Sequence, residues 1–275
     1  MSSARLESFI CITCGTQFAP TDGPPPACPI CLDERQYVGA NGQEWTTRNA
    51  MQRGEWKNVL REQEPDLIGI GTEPKFGIGQ RALLVRTPQG NVLWDCLSFL
   101  DDRTLRAVQQ FGGISAIAIS HPHYYTSMIE WSRAFGDAPI YLHESDRPWV
   151  MQPDERIRFW SGQTKNLLDG LTLVHTGGHF AGFQVLHWPQ GAGGLGVLLS
   201  GDQPQVLPDV RWVSFMYSYP NYIPLNASTV RHVADTLEPL AFDRIYGAFW
   251  PGVVRRDAKE VLARSVERYL QHIAG

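Results

Sequence analysis

A run of small and β-branched apolar residues, 114–119, is followed directly by His121-Pro122-His123. The run has the length and composition of a buried strand, so two imidazoles are predicted at the carboxyl end of that strand. The loops beyond the strand ends of open α/β sheets form a crevice whose geometry the sheet holds fixed. We therefore interpret the two histidines as metal ligands rather than as ordinary hydrogen-bonded loop residues.

Two later segments repeat this organisation. Residues 171–175 are a strand-like run that leads into a glycine-containing loop with His179, and residues 195–200 are an apolar run that leads into Gly201-Asp202. Glycine allows the tight backbone that such a loop needs. A carboxylate beside three histidines from comparable strand ends is a credible fourth ligand. The sequence thus predicts one metal group, made of His121, His123, His179 and Asp202.

Four of the five cysteines form two Cys-x-x-Cys pairs, Cys11 with Cys14 and Cys28 with Cys31. In a reducing compartment such pairs favour metal binding over disulfides, and four thiolates satisfy the tetrahedral preference of zinc. So short a segment buries little core, and the metal would supply most of its folding energy. We predict a structural zinc site, with electron transfer by bound iron as the alternative.

Composition argues against several classes of partner. The chain has 24 basic and 28 acidic residues and a formal net charge of −4, which gives no bulk attraction to nucleic acid or to an anionic membrane. No apolar run approaches the roughly 18 residues that span a bilayer, and the amino terminus lacks the apolar core of a secretory signal. We expect a cytoplasmic protein with a small-molecule substrate, and a protein partner or a homodimer is left open.

The chain divides into three predicted parts. Residues 1–40 hold the paired cysteines and form a small zinc ribbon, residues 41–68 are a polar connecting segment, and residues 69–275 form the main domain. The main domain alternates strand-like apolar runs with helix-like amphipathic segments such as 257–274, which is the pattern of an α/β fold. A hydrophobic content of 43% is sufficient for its core.

From about residue 69 to the end, the order of motifs resembles the metallo-β-lactamase-fold hydrolases. The likeness rests on the His-x-His after a strand, on residues 175–182 with the pattern His-Thr-x-Gly-His-x-x-Gly, and on Ser-Gly-Asp at 200–202. It implies an αββα sandwich with a metal site in the groove along one edge. By motif position it implies that His121, His123 and His179 bind the first metal, and that Asp202 is the carboxylate that bridges two metals in many members. The cysteine segment is similar to a zinc ribbon or a rubredoxin-type knuckle.

The chain departs from this family at the positions of the second metal. Tyr125 and Thr126 stand where the usual His-x-His-x-Asp-His motif has its aspartate and last histidine, and Ala248 follows the late glycine where a final histidine belongs. The remaining ligands predict one Zn²⁺ or Fe²⁺ ion in the groove, and a mechanism with two metals is not expected.

Three functions fit these residues. The first is a mononuclear hydrolase in which a metal-bound hydroxide attacks a small ester, thioester, lactone or amide, Asp202 orients the water and Tyr125 donates to the oxyanion. The second is a non-haem iron oxygenase, similar to persulfide dioxygenases, with His121, His179 and Asp202 as its triad. The third is a non-catalytic scaffold that binds a partner. The identity of the bound metal distinguishes them.

Five aromatic residues lie between 212 and 222, in a segment that prolines interrupt. Such a segment is either a loop that packs on the core or a lid and apolar wall for the substrate. The sequence leaves both interpretations open.

Overall fold

The computed structural model describes residues 6–274, in which two large β-sheets form the centre of the molecule. Residues 1–5 and 275, at the outer ends of the first and last predicted parts, lie outside the described residues. No helix between residues 6 and 274 combines the length and the apolar character needed to cross a membrane.

The first large sheet has seven strands that follow chain order. The first four strands pair antiparallel, and the last four pair parallel. The central parallel strands β6 and β7 consist of apolar residues because both of their faces are covered. The strands are β3 (Lys57–Glu64), β4 (Leu67–Glu73), β5 (Arg81–Val85), β6 (Val92–Trp94), β7 (Ala116–Ala118), β8 (Ile140–His143) and β9 (Ile157–Trp160).

The second large sheet has six strands, and one parallel pairing, β13 with β18, interrupts its antiparallel order. Its strands are β10 (Thr164–Asn166), β11 (Thr172–His175), β12 (Gln184–Trp188), β13 (Val197–Gly201), β18 (Arg244–Gly247) and β19 (Val253–Val254). Between β13 and β18 the chain makes two small ribbons, β14 (Gln205–Val206) with β15 (Val213–Ser214) and β16 (Met216–Ser218) with β17 (Ile223–Pro224).

Seven helices accompany the sheets within residues 6–274. Asp101 and Asn226 cap α3 and α6, because their side chains accept hydrogen bonds from the backbone N–H groups of Thr104 and Thr229. The helices are α1 (Pro29–Leu32), α2 (Arg48–Arg53), α3 (Asp102–Gln110), α4 (Met128–Ala134), α5 (Gly191–Gly194), α6 (Ala227–Leu237) and α7 (Ala258–Ile273). Short 3₁₀ segments lie at Pro122–Tyr124, Glu144–Trp149 and Leu168–Gly170.

Three apolar layers separate these elements. One cluster packs α3 and α4 on the first sheet, a second packs α6 and α7 on the second sheet, and a third, which includes Leu83 and Leu186, lies between the two sheets. The order of the layers is therefore helix, sheet, sheet, helix. The predicted αββα sandwich with an amino-terminal four-cysteine unit is confirmed.

The predicted connecting segment, residues 41–68, does not form a separate linker. Its first part contributes β2 (Trp45–Thr47), which pairs with β1 (Phe9–Cys11) beside the cysteines, and its last part contributes β3, an edge strand of the seven-stranded sheet. The polar residues of β3 resemble a linker in sequence because an edge strand exposes part of its surface to solvent. We correct the boundary of the main domain from residue 69 to the start of β3.

Candidate metal centre

His121 follows β7 and is oriented by a chain of hydrogen bonds. The hydroxyl of Ser120 donates to Asp95 Oδ1 at 2.7 Å, so it accepts the Nδ1–H of His121 at 2.9 Å. Asp95 Oδ1 also accepts the backbone N–H of Ser120 at 2.8 Å. These contacts select the tautomer that leaves His121 Nε2 free, and this buried atom has no hydrogen-bond partner among the described residues.

His179 and His123 meet opposite this nitrogen. Nδ1 of His179 donates to the carbonyl oxygens of Tyr217 at 2.8 Å and Met216 at 3.1 Å, which turns its Nε2 toward His123 Nδ1 at 3.4 Å. His123 lies in the 3₁₀ turn that follows β7. Because its Nδ1 proton is bound to these carbonyls, His179 turns the lone pair of Nε2 toward His123 Nδ1, where the two nitrogens can share a proton or a cation.

Asp202 follows β13 and completes the group. Its Oδ1 accepts the hydroxyl of Tyr124 at 2.6 Å, its Oδ2 lies 3.5 Å from His121 Nε2, and its backbone oxygen accepts the hydroxyl of Tyr219 at 2.5 Å. Burial opposes ionisation of Asp202, but the contacts with His121, His179 and Tyr124 lower its pKa below the ordinary value. The carboxylate is therefore available as a negatively charged ligand.

One potential ligand atom from each of the four residues lies within 4.8 Å of the other three, and all four residues are buried. We call His121, His123, His179 and Asp202 the histidine site. Burial lowers the pKa of His179 to about 3 and shifts those of His121 and His123 downward, so the imidazoles keep their lone pairs near neutrality. Three neutral imidazoles, one of which has an Nε2 without a hydrogen-bond partner among the described residues, and one carboxylate fit a divalent cation.

Among the described residues, the structure also places no ligand set for a second metal beside the histidine site. Tyr125, Thr126 and Ala248 are buried, and no atom of these side chains belongs to the histidine site. Within residues 6–274, only the histidine site and the cysteine site described below bring together enough histidine, cysteine, aspartate or glutamate side chains to hold a metal.

Sequence reasoning selected Tyr125 as the tyrosine of the site, but the neighbouring Tyr124 is the one that contacts Asp202. Tyr125 packs in the apolar layer under α4 and does not line the cavity at the histidine site. The 3₁₀ turn after His121 decides which of the two adjacent rings faces Asp202. A catalytic role for Tyr125 thus has no contact to support it among the described residues.

Sequence reasoning also missed Asp95 and Ser120. Both carried a detectable signal, because Asp95 directly follows the apolar strand β6 and Ser120 lies two residues after the end of β7, where side chains reach the same crevice. Arg35, whose contact with the histidine site is described below, carried none, because it lies far from that site in sequence.

The cysteine site consists of the sulfurs of Cys11, Cys14, Cys28 and Cys31. All four are buried, and no disulfide joins them. The Sγ atoms of Cys11 and Cys31 are 3.6 Å apart, and those of Cys14 and Cys28 are 3.7 Å apart. Tetrahedral zinc with Zn–S bonds of about 2.3 Å separates its sulfurs by about 3.8 Å. The spacing therefore fits a zinc ion.

A cavity of about 170 Å³ opens onto His123 and Asp202. Tyr219 and Pro220 line it, whereas Phe215 is buried in the core under α7, so the aromatic segment both packs on the core and forms a wall of the cavity. The amino-terminal residues 6–53, which we call the cysteine unit, contribute Arg35 and Tyr37 to the lining.

Comparison with known proteins agrees with this architecture. No family model matches the chain. The uncharacterized protein YmaE of Bacillus subtilis (strain 168) is 51% identical over 264 residues, which cover 96% of each chain.

Several solved structures share the fold. VMB-1 has a TM-score of 0.59 at 15% identity, over 80% of this chain and 99% of its own. The metallo-β-lactamase DIM-1 has a TM-score of 0.57 at 13% identity, over 78% and 98%. A metallo-β-lactamase from Pontibacter korlensis has a TM-score of 0.54 at 14% identity, over 78% and 99%. At these identities the likeness shows the fold, which is that of the metallo-β-lactamases.

Proposed function

The chain belongs to the family of YmaE and has the metallo-β-lactamase fold, and from this premise we propose that it is a mononuclear metal-dependent hydrolase of a small ester, thioester, lactone or amide. One observation carries the proposal: four buried donor groups converge within 4.8 Å, and side chains without ligand atoms at this site replace the second-metal ligands.

The histidine site would hold the cation through His121, His123, His179 and Asp202. A bound divalent cation such as zinc supplies Lewis acidity, polarising a carbonyl oxygen and lowering the pKa of water. Ser120 and the carbonyl of Tyr217 keep the Nδ1 protons of His121 and His179 away from the cation. The ionised Asp202, which Tyr124 holds in place, can accept a hydrogen bond from the attacking water.

The size of the cavity supports a small substrate. Its volume of about 170 Å³ is below the range of about 300–1,000 Å³ that is usual for pockets that hold drug-sized ligands. Polar Gln205 and Lys75 and apolar Ile78 and Phe249 share the lining. This mixture suits a compact molecule with one polar reacting group and a short apolar part.

The contact between His123 and His179 favours the hydrolase over the iron oxygenase. A triad of two histidines and one carboxylate requires one histidine to stand apart from the metal. His123 Nδ1 instead lies 3.4 Å from His179 Nε2. The alternative of a non-catalytic scaffold does not require the hydrogen bonds that fix the tautomers of His121 and His179, so these bonds support an active site.

Metal analysis combined with an activity screen tests the proposal. We expect about one zinc in the cysteine site and about one ion in the histidine site, and metal-dependent hydrolysis of at least one member of a panel of small esters, thioesters, lactones and amides. His179→Ala should remove the second ion and the activity but keep the first ion.

His232→Ala is the matched control, because this histidine is exposed on α6, and it should keep both ions and the activity. Two ions per histidine site, iron with oxygen-dependent turnover, or a wild-type protein that binds no ion there would contradict the proposal.

A further inference from the structure

The segment that follows Cys31 joins the cysteine site to the histidine site. Arg35 forms a two-pronged ion pair with Asp33, with Nε–Oδ1 at 2.6 Å and Nη2–Oδ2 at 2.8 Å. Its third nitrogen, Nη1, donates to the backbone oxygen of His179 at 3.3 Å. The guanidinium also lies over the ring of Phe180, 3.9 Å from its centroid. Arg35 thus contacts the loop that presents His179 in two ways.

Glu34, which lies between Asp33 and Arg35, contacts the segment on the other side of His179. The backbone oxygen of Glu34 accepts hydrogen bonds from Ser218 Oγ and Asn221 Nδ2, each at 2.6 Å. Ser218 ends β16, the strand whose carbonyls receive the Nδ1–H of His179. The three consecutive residues after Cys31 and Leu32 therefore clamp both segments that set the orientation of this imidazole.

We propose that Arg35 is a positioning residue that couples the two sites, so that a metal in the cysteine site strengthens metal binding at the histidine site. The inference rests on the proposed function, because it requires an ion at the histidine site. A metal in the cysteine site fixes Cys31 and the turn that follows it, which fixes Asp33 and Arg35 in turn. By linkage, an ion at the histidine site strengthens metal binding at the cysteines by the same factor.

The positioning role of Arg35 rests on its geometry, because a cation near a metal site opposes metal binding. The carboxylate of Asp33, at hydrogen-bond distance, offsets part of that opposing charge. The side chains of Arg35 and Asp33 are only 12% and 18% exposed, so solvent screens the pair little. The planar guanidinium of Arg35 fixes the backbone carbonyl of His179 and the ring of Phe180.

Arg147 provides a matched control within the chain. It makes the same kind of two-pronged pair with a nearby acid, Glu144, with both distances 2.7 Å, and its guanidinium lies 3.7 Å from the ring centroid of Phe159. Unlike Arg35, it has no hydrogen bond to a residue of the histidine site. The two arginines differ in what they hold in place and in burial, since the side chains of Arg147 and Glu144 are 55% and 47% exposed.

The test compares Arg35→Gln with Arg147→Gln in the full-length protein. The zinc dissociation constant of the histidine site is measured by competition with a chromophoric chelator, and the phase that His179→Ala lacks identifies this site. We expect Arg35→Gln to weaken it about 10–100-fold, as loss of an outer contact to a ligand does, with the cysteine site still filled. Arg147→Gln should leave the constant unchanged within about twofold. Arg35→Lys keeps the charge but lacks the fork, and should resemble Arg35→Gln.

Equal constants in wild type and Arg35→Gln, an equal loss in Arg147→Gln, or full recovery in Arg35→Lys would each overturn the positioning role. A wild type with no zinc at the histidine site would instead overturn the proposed function, so the two failures are distinct. Cys31→Ser supplies a second measurement. It should weaken zinc binding at the histidine site in the wild-type background but add little in Arg35→Gln, since both changes loosen the same contact between Arg35 and His179.

Discussion

At the residue scale, Ser120 links two buried side chains that have different roles. Its hydroxyl accepts a hydrogen bond from the proposed ligand His121 and donates one to Asp95. Asp95 lies at the end of a strand and does not belong to the histidine site. Outer partners of this kind fix the tautomer and the direction of the ligand nitrogen. The position of the imidazole therefore depends on a serine that sequence reasoning did not select.

Ser120→Ala should weaken zinc binding at the histidine site about 10–100-fold, because Nδ1 of His121 loses the acceptor that fixes its tautomer. Chelator competition measures the effect. Ser132→Ala is the control, because Ser132 is another buried serine, and its hydroxyl donates only to the carbonyl of Ala138 at 2.6 Å. An equal loss of zinc affinity in both variants would show that the effect is general destabilisation.

Asp146 is a buried carboxyl with one unpaired oxygen. Its Oδ1 accepts the backbone N–H of Gly182 at 2.8 Å, but Oδ2 has no hydrogen-bond partner among the described residues. Burial raises its pKa to about 7, although the N–H of Gly182 and the charge of Arg35 act in the opposite direction. The folded protein therefore binds a proton here at pH values where the unfolded chain has released it.

Because of this bound proton, we expect Asp146→Asn to change the stability of the protein by an amount that depends on pH. Between the ordinary pKa of aspartate and about pH 7, the folded state binds more protons, so the wild type loses stability as pH rises, with a limiting slope of about 1.4 kcal/mol per pH unit. The amide resembles the protonated carboxyl, so the variant should gain stability relative to wild type from pH 5 to pH 8 in urea unfolding.

Asp154→Asn should show the opposite sign. Burial acts against it, but Arg156 and Arg133 lower the pKa of Asp154, so its ionised form is favoured in the folded protein. This variant should lose stability relative to wild type as pH rises, and the loss should vanish in acid. A constant difference between Asp146→Asn and wild type at all pH values would contradict the assignment.

At the scale of elements, Asp101 holds a helix and a strand together. Its Oδ1 caps α3 through the N–H of Thr104 at 2.6 Å, and its Oδ2 accepts the N–H of Asn58 in β3 at 2.9 Å. The cap was readable from the sequence, because aspartate before an amphipathic run is a common helix start. Its second contact was not, because β3 lies more than 40 residues earlier.

Asp101→Ala should lower the free energy of unfolding by about 2 kcal/mol, since it removes a cap and leaves a second backbone N–H without its acceptor. Asn226→Ala removes the side chain that caps α6, which accepts one backbone N–H, that of Thr229. This variant should lower the free energy of unfolding by about 1 kcal/mol. Urea unfolding with unchanged m-values measures both. Equal losses would show that the contact with β3 contributes nothing.

At the scale of the whole molecule, the cysteine unit packs on the edge of the sandwich and is not a free appendage. Ser98 Oγ donates to the carbonyl of Gly15 at 2.7 Å, and Gln17 donates from its backbone to Thr126 at 3.1 Å and from its side chain to Glu130 at 2.7 Å. These contacts bring the cysteine unit beside the residues that replace the second-metal ligands.

Gly77 lies at a close approach between the backbones of the two units. It has φ +57°, and an added Cβ would lie 3.2 Å from backbone atoms of Cys14 and Gly15. Gly162 also has a left-handed φ, +94°, but an added Cβ would meet open space. Both alanine variants pay the same kind of backbone strain, about 1 kcal/mol or more. Only Gly77→Ala should also push the cysteine unit away.

We therefore expect Gly77→Ala to be the less stable variant and to show faster amide hydrogen exchange in residues 6–53 than Gly162→Ala. It should also bind zinc more weakly at the histidine site, since displacement of the cysteine unit loosens the contact of Arg35 with His179. Identical exchange in the two variants would indicate that the units are not tightly packed at Gly77.

The amino-acid sequence by itself determined the α/β alternation, the four-cysteine site and the four residues of the histidine site, because apolar runs specify strands and the polar residue after each run lies at a strand end. The αββα order of the layers was implied by the resemblance of its motifs to the metallo-β-lactamase fold. Only the tertiary structure decided that β3 belongs to the sheet, that Tyr124 and not Tyr125 faces Asp202, and that Arg35 reaches His179. The physical reason is that these contacts depend on the packing of segments distant in sequence and on the turn of a single loop, neither of which leaves a periodic signal.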